Sequence, residues 1–237
     1  MGNSNSNNKN ASEQKCCSSK PKKHIALFGG TGGTGLSFLS QAVEKGHKVT
    51  ALVRQVDKVP EELRNNPAVT LVEGNSLDPE KVTQVVKGAE SVVISLGSSS
   101  GKEEDKKVCS ESQPIINAAV NAECPQAKVV AVTSLGVGDS YDHITLFTKL
   151  AVNTILARPI EDKNVQEASL KADVENYTIV RPGGLTNDPP TGQWEASETV
   201  GGGRIARADV AKFILEQCLD CGDRCMFVKK AVSIVGK

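Results

Sequence analysis

The residues with the clearest chemical consequence are three glycines, Gly29-x-x-Gly32-x-x-Gly35, inside HIALFGGTGGTGLSFLSQAVEKG. An apolar run, Ile25-Ala26-Leu27-Phe28, leads straight into them, and an amphipathic stretch follows. Such a turn offers backbone N–H groups and the positive end of a helix dipole to a diphosphate, and side chains there would block the approach. Gly29, Gly30, Thr31, Gly32, Gly33, Thr34 and Gly35 are therefore expected to cradle the pyrophosphate of a dinucleotide. The plainer alternative is a tight glycine turn that holds nothing. A glycine pattern alone is weak, but here strand, turn, helix and next strand fall in the required order.

The second strand chooses between the two nicotinamide cofactors. Sites for NAD usually place an acid about 20 residues beyond the turn, against the ribose 2′-hydroxyl. Here HKVTALVR ends in Arg54, with Lys58 close behind. A cation at that point attracts a 2′-phosphate, so NADP(H) is the expected cofactor. The competing reading makes both residues solvated loop charges.

The elements that must position these residues can be read from the apolar runs. Residues 47–54, 69–73, 91–96, 128–134 and 176–182 have the continuous apolar character of strands buried on both faces. Helical patterns lie between them, near 33–45, 79–88, 107–122, 143–172 and 207–219. Gly46 suits a left-handed cap for the first helix. This alternation predicts a single α/β domain over residues 23–237, a Rossmann-type, doubly wound parallel sheet with right-handed crossovers. Residues 97–107 and 183–204, rich in Gly, Ser, Pro and charge, are expected as surface loops near the ligand. Residues 1–22, dominated by Asn, Ser and Lys, offer almost nothing to bury and are expected as a disordered tail.

Composition narrows the function classes. The 28 basic and 28 acidic residues balance, so nothing global points to nucleic acid, and aromatics are only 3%. No apolar run approaches the roughly 18–20 residues of a membrane span. The seven cysteines lack paired spacing and no secretory signal precedes them, which predicts a reducing, cytoplasmic compartment.

FGGTGGTGL (28–36), VTALVR (49–54), VAVTSLG (130–136), YTIVRPGGLTNDPPTG (177–192) and ARADVAKFIL (206–215) together resemble the atypical short-chain dehydrogenase/reductase family. The closest branch is that of the NmrA-like flavin reductases and biliverdin-IXβ reductases, and the similarity spans residues 23–235. It implies that Arg54 and Lys58 sit near the 2′-phosphate and that Asn75 and Ser76 flank the adenine. Asn75 stands where such proteins often have Asp. It further implies Leu96 and Gly97 under the cofactor, and Val132, Thr133 and Ser134 beside the nicotinamide. Lys163 and the turn Pro182–Leu185, Gly184 included, would close over that half.

One expected pair is missing. The wider superfamily uses Tyr-x-x-x-Lys as a general acid, but Tyr141 is followed four residues later by Thr145 and Tyr177 by Arg181. This weakens an alcohol dehydrogenase reading and leaves a flavin or linear-tetrapyrrole reductase intact, since water can supply its proton. Ser134 is the candidate catalytic residue, able to hydrogen-bond the acceptor or the carboxamide, or only to satisfy a strand end. Lys163 precedes Glu167 by four residues, a spacing that also suits a solvated ion pair. Arg181, ending a buried strand, needs a partner. Trp194 lines the acceptor pocket or packs under its loop. Cys218, Cys221 and Cys225 lack a fourth ligand for a metal and are expected as free thiols, and the three histidines show no ligand spacing. Met1-Gly2-Asn3-Ser4-Asn5-Ser6 matches the N-myristoylation pattern at Gly2, with Cys16 and Cys17 available for a second acyl chain. That predicts a place at the cytoplasmic face of a membrane.

Two function classes result. One is an NADPH-dependent reductase acting on a flavin, tetrapyrrole or quinone, working as a monomer. The other is an NADP(H)-binding redox sensor or scaffold with little turnover.

Overall fold

The computed structural model describes residues 22–97, 107–222 and 225–237. The expected tail and its acylation sites Gly2, Cys16 and Cys17 lie outside the described residues, as does most of the loop expected at 97–107.

Strands β1 (His24–Phe28), β2 (Lys48–Val53), β3 (Val69–Glu73), β4 (Ser91–Ile94), β5 (Lys128–Val132) and β6 (Tyr177–Pro182) pair in parallel. Helices α1 (Gly33–Glu44), α2 (Glu61–Arg64), α3 (Pro79–Val86) and α4 (Val108–Glu123) cross between them. Alternate residues of each strand feed opposite cores, because strand side chains point to opposite faces. Ile25 and Leu27 join Phe38, Val93, Val130 and Phe213 on one face. Ala26 and Phe28 join Val92, Ile94, Ile116 and Leu170 on the other.

With β8 (Trp194–Ser197) and β10 (Lys230–Gly236) added, the large sheet has eight strands in the order β3-β2-β1-β4-β5-β6-β10-β8. The direction of winding reverses between β1 and β4, and in open α/β sheets ligands bind beyond the carboxyl ends of the strands at that point. The glycine turn leaves β1 there.

The C-terminal half corrects the expected elements. The single helix expected over 143–172 is a 3₁₀ segment, Gly138–His143, then α5 (Leu146–Asn153) and α6 (Ala157–Asp173). Thr154 leaves the helical region at φ −118°, ψ −85°. Pro159, in the first turn of α6, has no N–H and its ring bars a helix arriving from before it. The loop expected over 183–204 contains β7 (Gly184–Thr186) and β8 (Trp194–Ser197), and β7 pairs with β9 (Arg204–Ala206). β10 (Lys230–Gly236), also unexpected, runs parallel to β6 and antiparallel to β8. α7 (Arg207–Phe213) continues as a π-helical stretch, Ile214–Leu219. Trp194 packs edge-on against Phe213, with ring centroids 5.9 Å apart, so it belongs to the core beneath its loop.

The expectation of three free thiols is also corrected. Cys221 and Cys225, beyond the π-helical stretch, are joined as a disulfide. Cys218 alone of the three is free and fully buried, and burial pushes its thiol up to about 12. Among the described residues no helix is long and apolar enough to cross a membrane.

Candidate cofactor cleft

The glycines of the turn divide their work. Gly29 has φ +83°, and a Cβ there would lie 2.3 Å from the Ser95 carbonyl oxygen at the end of β4. A Cβ on Gly35 would lie 2.1 Å from the Gly29 carbonyl oxygen. These two let β1, the turn and α1 pack backbone to backbone. Gly32 is exposed and caps α1 in extended conformation, its N–H donating to the Gly29 carbonyl at 3.1 Å. A Cβ on Gly32 would meet only that carbonyl, at 3.5 Å, so the space above it is open to an incoming group. The first turn of α1 carries no acid, which leaves its positive end uncompensated.

One cleft gathers Gly29, Thr31, Gly32, Leu52, Arg54, Gly74, Asn75, Ser76, Ser95, Leu96, Gly97 and Val108. Eight of the residues expected from sequence to hold the cofactor meet within it or at its rim: Gly29, Thr31, Gly32, Arg54, Asn75, Ser76, Leu96 and Gly97. Arg54 is exposed at the end of β2. The Asn75 side-chain oxygen accepts from Leu77 N at 3.2 Å, which shapes the turn after β3. The Ser76 hydroxyl is buried and accepts from Ser112 of α4 at 2.7 Å. Among the described residues, a Cβ on Gly97 would meet nothing within 4 Å. An open glycine turn, a cation one strand away and an open strand end fit a dinucleotide. Lys58, on the 3₁₀ turn Val56–Lys58, does not line this cleft, and Gly30, Gly33, Thr34 and Gly35 stand behind or beside it.

Around the end of β5 the expected residues are placed differently. Val132 is buried in the core. The Thr133 hydroxyl donates to Glu167 at 2.8 Å, so that side chain is turned to α6. The Ser134 hydroxyl is half-buried and donates to the Leu135 carbonyl at 3.2 Å. Lys163 makes no pair with Glu167, against the solvated-pair alternative. Its ammonium donates to the carbonyls of Leu96 (2.7 Å) and Val132 (2.9 Å) and to Gln166 (3.1 Å), tying the ends of β4 and β5 together. Pro182 ends β6, and Gly184 and Leu185 belong to β7; none of the three lines the cleft.

Arg181 has the partner its burial demands. It is fully buried and donates to Glu167 at 2.9 and 2.6 Å and to Asp139 at 2.6 Å. Burial alone would lower the guanidinium, but its bonds to Glu167 and Asp139 raise it further above its usual value. The Arg181 hydrogen bond holds the Asp139 carboxyl below the usual carboxylate range. Asp162 caps α4 from α6, accepting from Cys109 N (3.1 Å) and Ser110 N (2.8 Å). Cys109 beneath it is buried and its thiol is pushed to about 11 by burial, which removes it as a nucleophile at neutral pH. Tyr141 accepts from Asn153 at 2.8 Å, and neither it nor Tyr177 lines the cleft.

Sequence reasoning missed Arg207, the first residue of α7, whose side chain crosses the start of α1. The signal was present in ARADVAKFIL, but nothing in the chain order brings residue 207 to residue 33.

Comparison with known proteins agrees with this geometry. The profile of a family described as NAD(P)H-binding matches residues 29–220. An uncharacterised chloroplastic protein of Arabidopsis thaliana is 30% identical over 208 residues, covering 83% of this chain and 72% of its own. A Bacillus subtilis protein named an uncharacterised sugar epimerase is 27% identical, covering 81% of this chain and 86% of its own. Among solved structures, a wide-type short-chain dehydrogenase/reductase of Veillonella parvula in complex with NADP superposes with a TM-score of 0.76 at 20% identity, covering 90% of this chain and 94% of its own. The anaerobillin reductase ChuY of Escherichia coli O157:H7 does so at 0.72 and 23%, covering 90% and 97%.

Proposed function

This chain belongs to the NAD(P)H-binding family, and on that premise we propose that it is an NADPH-dependent reductase for a flavin, a linear tetrapyrrole or a related conjugated acceptor. The observation that carries this reading is the cleft in which the glycine turn and Arg54 meet at the winding reversal of the sheet. Gly32 and the first turn of α1 would hold the pyrophosphate, Arg54 the 2′-phosphate in preference to a 2′-hydroxyl, and Leu96 and Gly97 the middle of the dinucleotide. Lys163 would act on the site indirectly, by holding the strand ends on which it rests. When bound, the reduced nicotinamide supplies a hydride. Ser134 is the side chain kept as a candidate for orienting the acceptor, and solvent would supply the proton. The NADP complex of the Veillonella protein and the reductase activity named for ChuY favour this cofactor and acceptor class. The epimerase named for the Bacillus relative is not adopted, because the sequence has no Tyr-x-x-x-Lys pair and, among the described residues, no acid lines the cleft. Cytoplasmic location, a monomeric state and acylation of the N-terminal segment at Gly2, Cys16 and Cys17 complete the proposal.

Purified protein is mixed with NADPH and a panel of FMN, biliverdin and quinones while the reduced-nicotinamide absorbance is followed. Oxidation that NADH fails to match supports the reading; no oxidation with any acceptor sinks it. A second reading has its own observation. The polar side chains at the end of β5 are bonded to one another, with Thr133 on Glu167 and Lys163 on carbonyls, which suits an NADP(H)-binding sensor without turnover. Tight NADPH binding with no oxidation, together with a partner whose affinity changes with nucleotide, would favour it.

A further inference from the structure

We propose that Arg207 is a second phosphate ligand of the cofactor, acting on the diphosphate from α7 while Arg54 acts on the 2′-phosphate from β2. The inference rests on the NADP(H) reading above and assigns a role to a residue outside the glycine turn.

Its first support is position. Arg207 lies across Gly33, the first residue of α1: a Cβ on Gly33 would stand 2.6 Å from Arg207 Cδ and 3.1 Å from its Nε. Glycine at 33 is thus the residue that lets the arginine stem rest on the helix start. Arg207 is half-buried there, so its stem is held by packing.

The second support is electrostatic. A helix N-terminus carries positive partial charge and favours anions. Arg207 sets a full positive charge beside the start of α1, whose first turn has no acid. It also opens α7, where the acid of the first turn, Asp209, is taken by the amides of Thr191 and Gly192. Among the described residues no carboxylate pairs with Arg207. Its one hydrogen bond runs from Nη1 to the neutral Asn187 side-chain oxygen at 2.7 Å. A cation placed against two like-signed ends is a local conflict that an anion at the glycine turn removes. The guanidinium has five N–H donors, so with one given to Asn187 it keeps enough for two phosphate oxygens in fork geometry. The same bond would couple cofactor occupancy to Asn187 in the loop after β7.

The test compares two ligands, NADPH and adenosine 2′-monophosphate, which keeps the 2′-phosphate and lacks the diphosphate. Dissociation constants are measured by calorimetry for the native chain, Arg207→Met, Arg207→Lys and Arg54→Glu. Met keeps the stem over Gly33 and removes the charge. The expected result is that Arg207→Met weakens NADPH about tenfold or more, the loss of one charge-assisted hydrogen bond, with adenosine 2′-monophosphate unchanged and Lys intermediate. Arg54→Glu weakens both ligands. Unchanged NADPH affinity in Arg207→Met overturns the proposal, and so does equal weakening of both ligands, which would mark general damage to the site. If the native chain binds neither ligand, it is the cofactor reading itself that fails, and this inference falls with it.

Discussion

The two halves of the candidate site are built on opposite plans. On the side expected to take the adenosine the turn is bare: Gly32 faces outward, Gly97 has open space among the described residues, and Arg54 stands exposed at a strand end. At the end of β5 polar groups are just as dense, but they are occupied with each other. Glu167 alone receives Thr133, Lys171 and Arg181. The difference teaches that density of polar residues does not mark a binding surface; open space over exposed backbone does. The first half has the open form of a receptor, and the second is an internal brace among its own side chains.

That contrast can be broken most forcefully at Glu167. Glu167→Ala leaves Arg181 charged and fully buried without its main partner, and should cost about 4 kcal/mol of stability, read by urea denaturation. If the far half is a brace, the fraction that remains folded keeps its NADPH affinity; a selective loss of affinity with unchanged stability would erase the distinction. Gly29→Ala attacks the receptor half through its backbone. A methyl there meets the Ser95 carbonyl and adds a disfavoured positive φ, so about 3 kcal/mol should be lost along with cofactor binding. Arg54→Glu is finer: NADPH affinity should fall by about 2 kcal/mol, with NADH affinity and melting temperature nearly unchanged, as calorimetry and thermal melts would show. Equal losses for the two nucleotides would remove Arg54 from cofactor discrimination.

The smallest effect concerns Asp139, whose side chain is 70% exposed. Its carboxyl is held below the usual range by the hydrogen bond from Arg181. A depressed native pKa stabilises the fold above the unfolded value of about 4. That contribution fades as pH falls through the native value. Asp139→Asn should therefore lower stability slightly at neutral pH, where the contribution is present, and leave it unchanged at the acid end, so that the acid limb of the stability–pH curve is flatter; an acid limb as steep as the native one would show that the bond carries no such linkage.

What the sequence disclosed follows the same division. β1 to β6 and the glycine turn were legible because each is a local signal: a buried run, a required spacing, a charge at a strand end. Arg181 declared its need for a partner, since a charge on a buried strand cannot stand alone, but not which residue met it. The split between α5 and α6 was signalled by Pro159 and passed over within a long helical pattern. β7, β8, β9 and β10 were not legible, because short strands owe their form to partners far away in the chain. KAVSIVG becomes β10 only beside YTIVRP and WEAS. The cross-chain placement of Arg207 on Gly33, and of Lys163 on the ends of two strands, depends on tertiary geometry that spacing does not encode.

The position of β10 has a consequence for the order in which the protein can be made. β8 has β10 as its sheet neighbour, and β10 follows both β6 and β8 in the chain while lying between them in the sheet. A ribosome delivers the chain from its N-terminus, so β6 waits as an open, apolar edge and β8 as an unattached segment until β10 emerges. An unpaired edge of that kind is a template for association with other chains. The half that carries the glycine turn can therefore assemble during synthesis, whereas the flank that carries Asn187 and Trp194 is fastened only after β10 has been made.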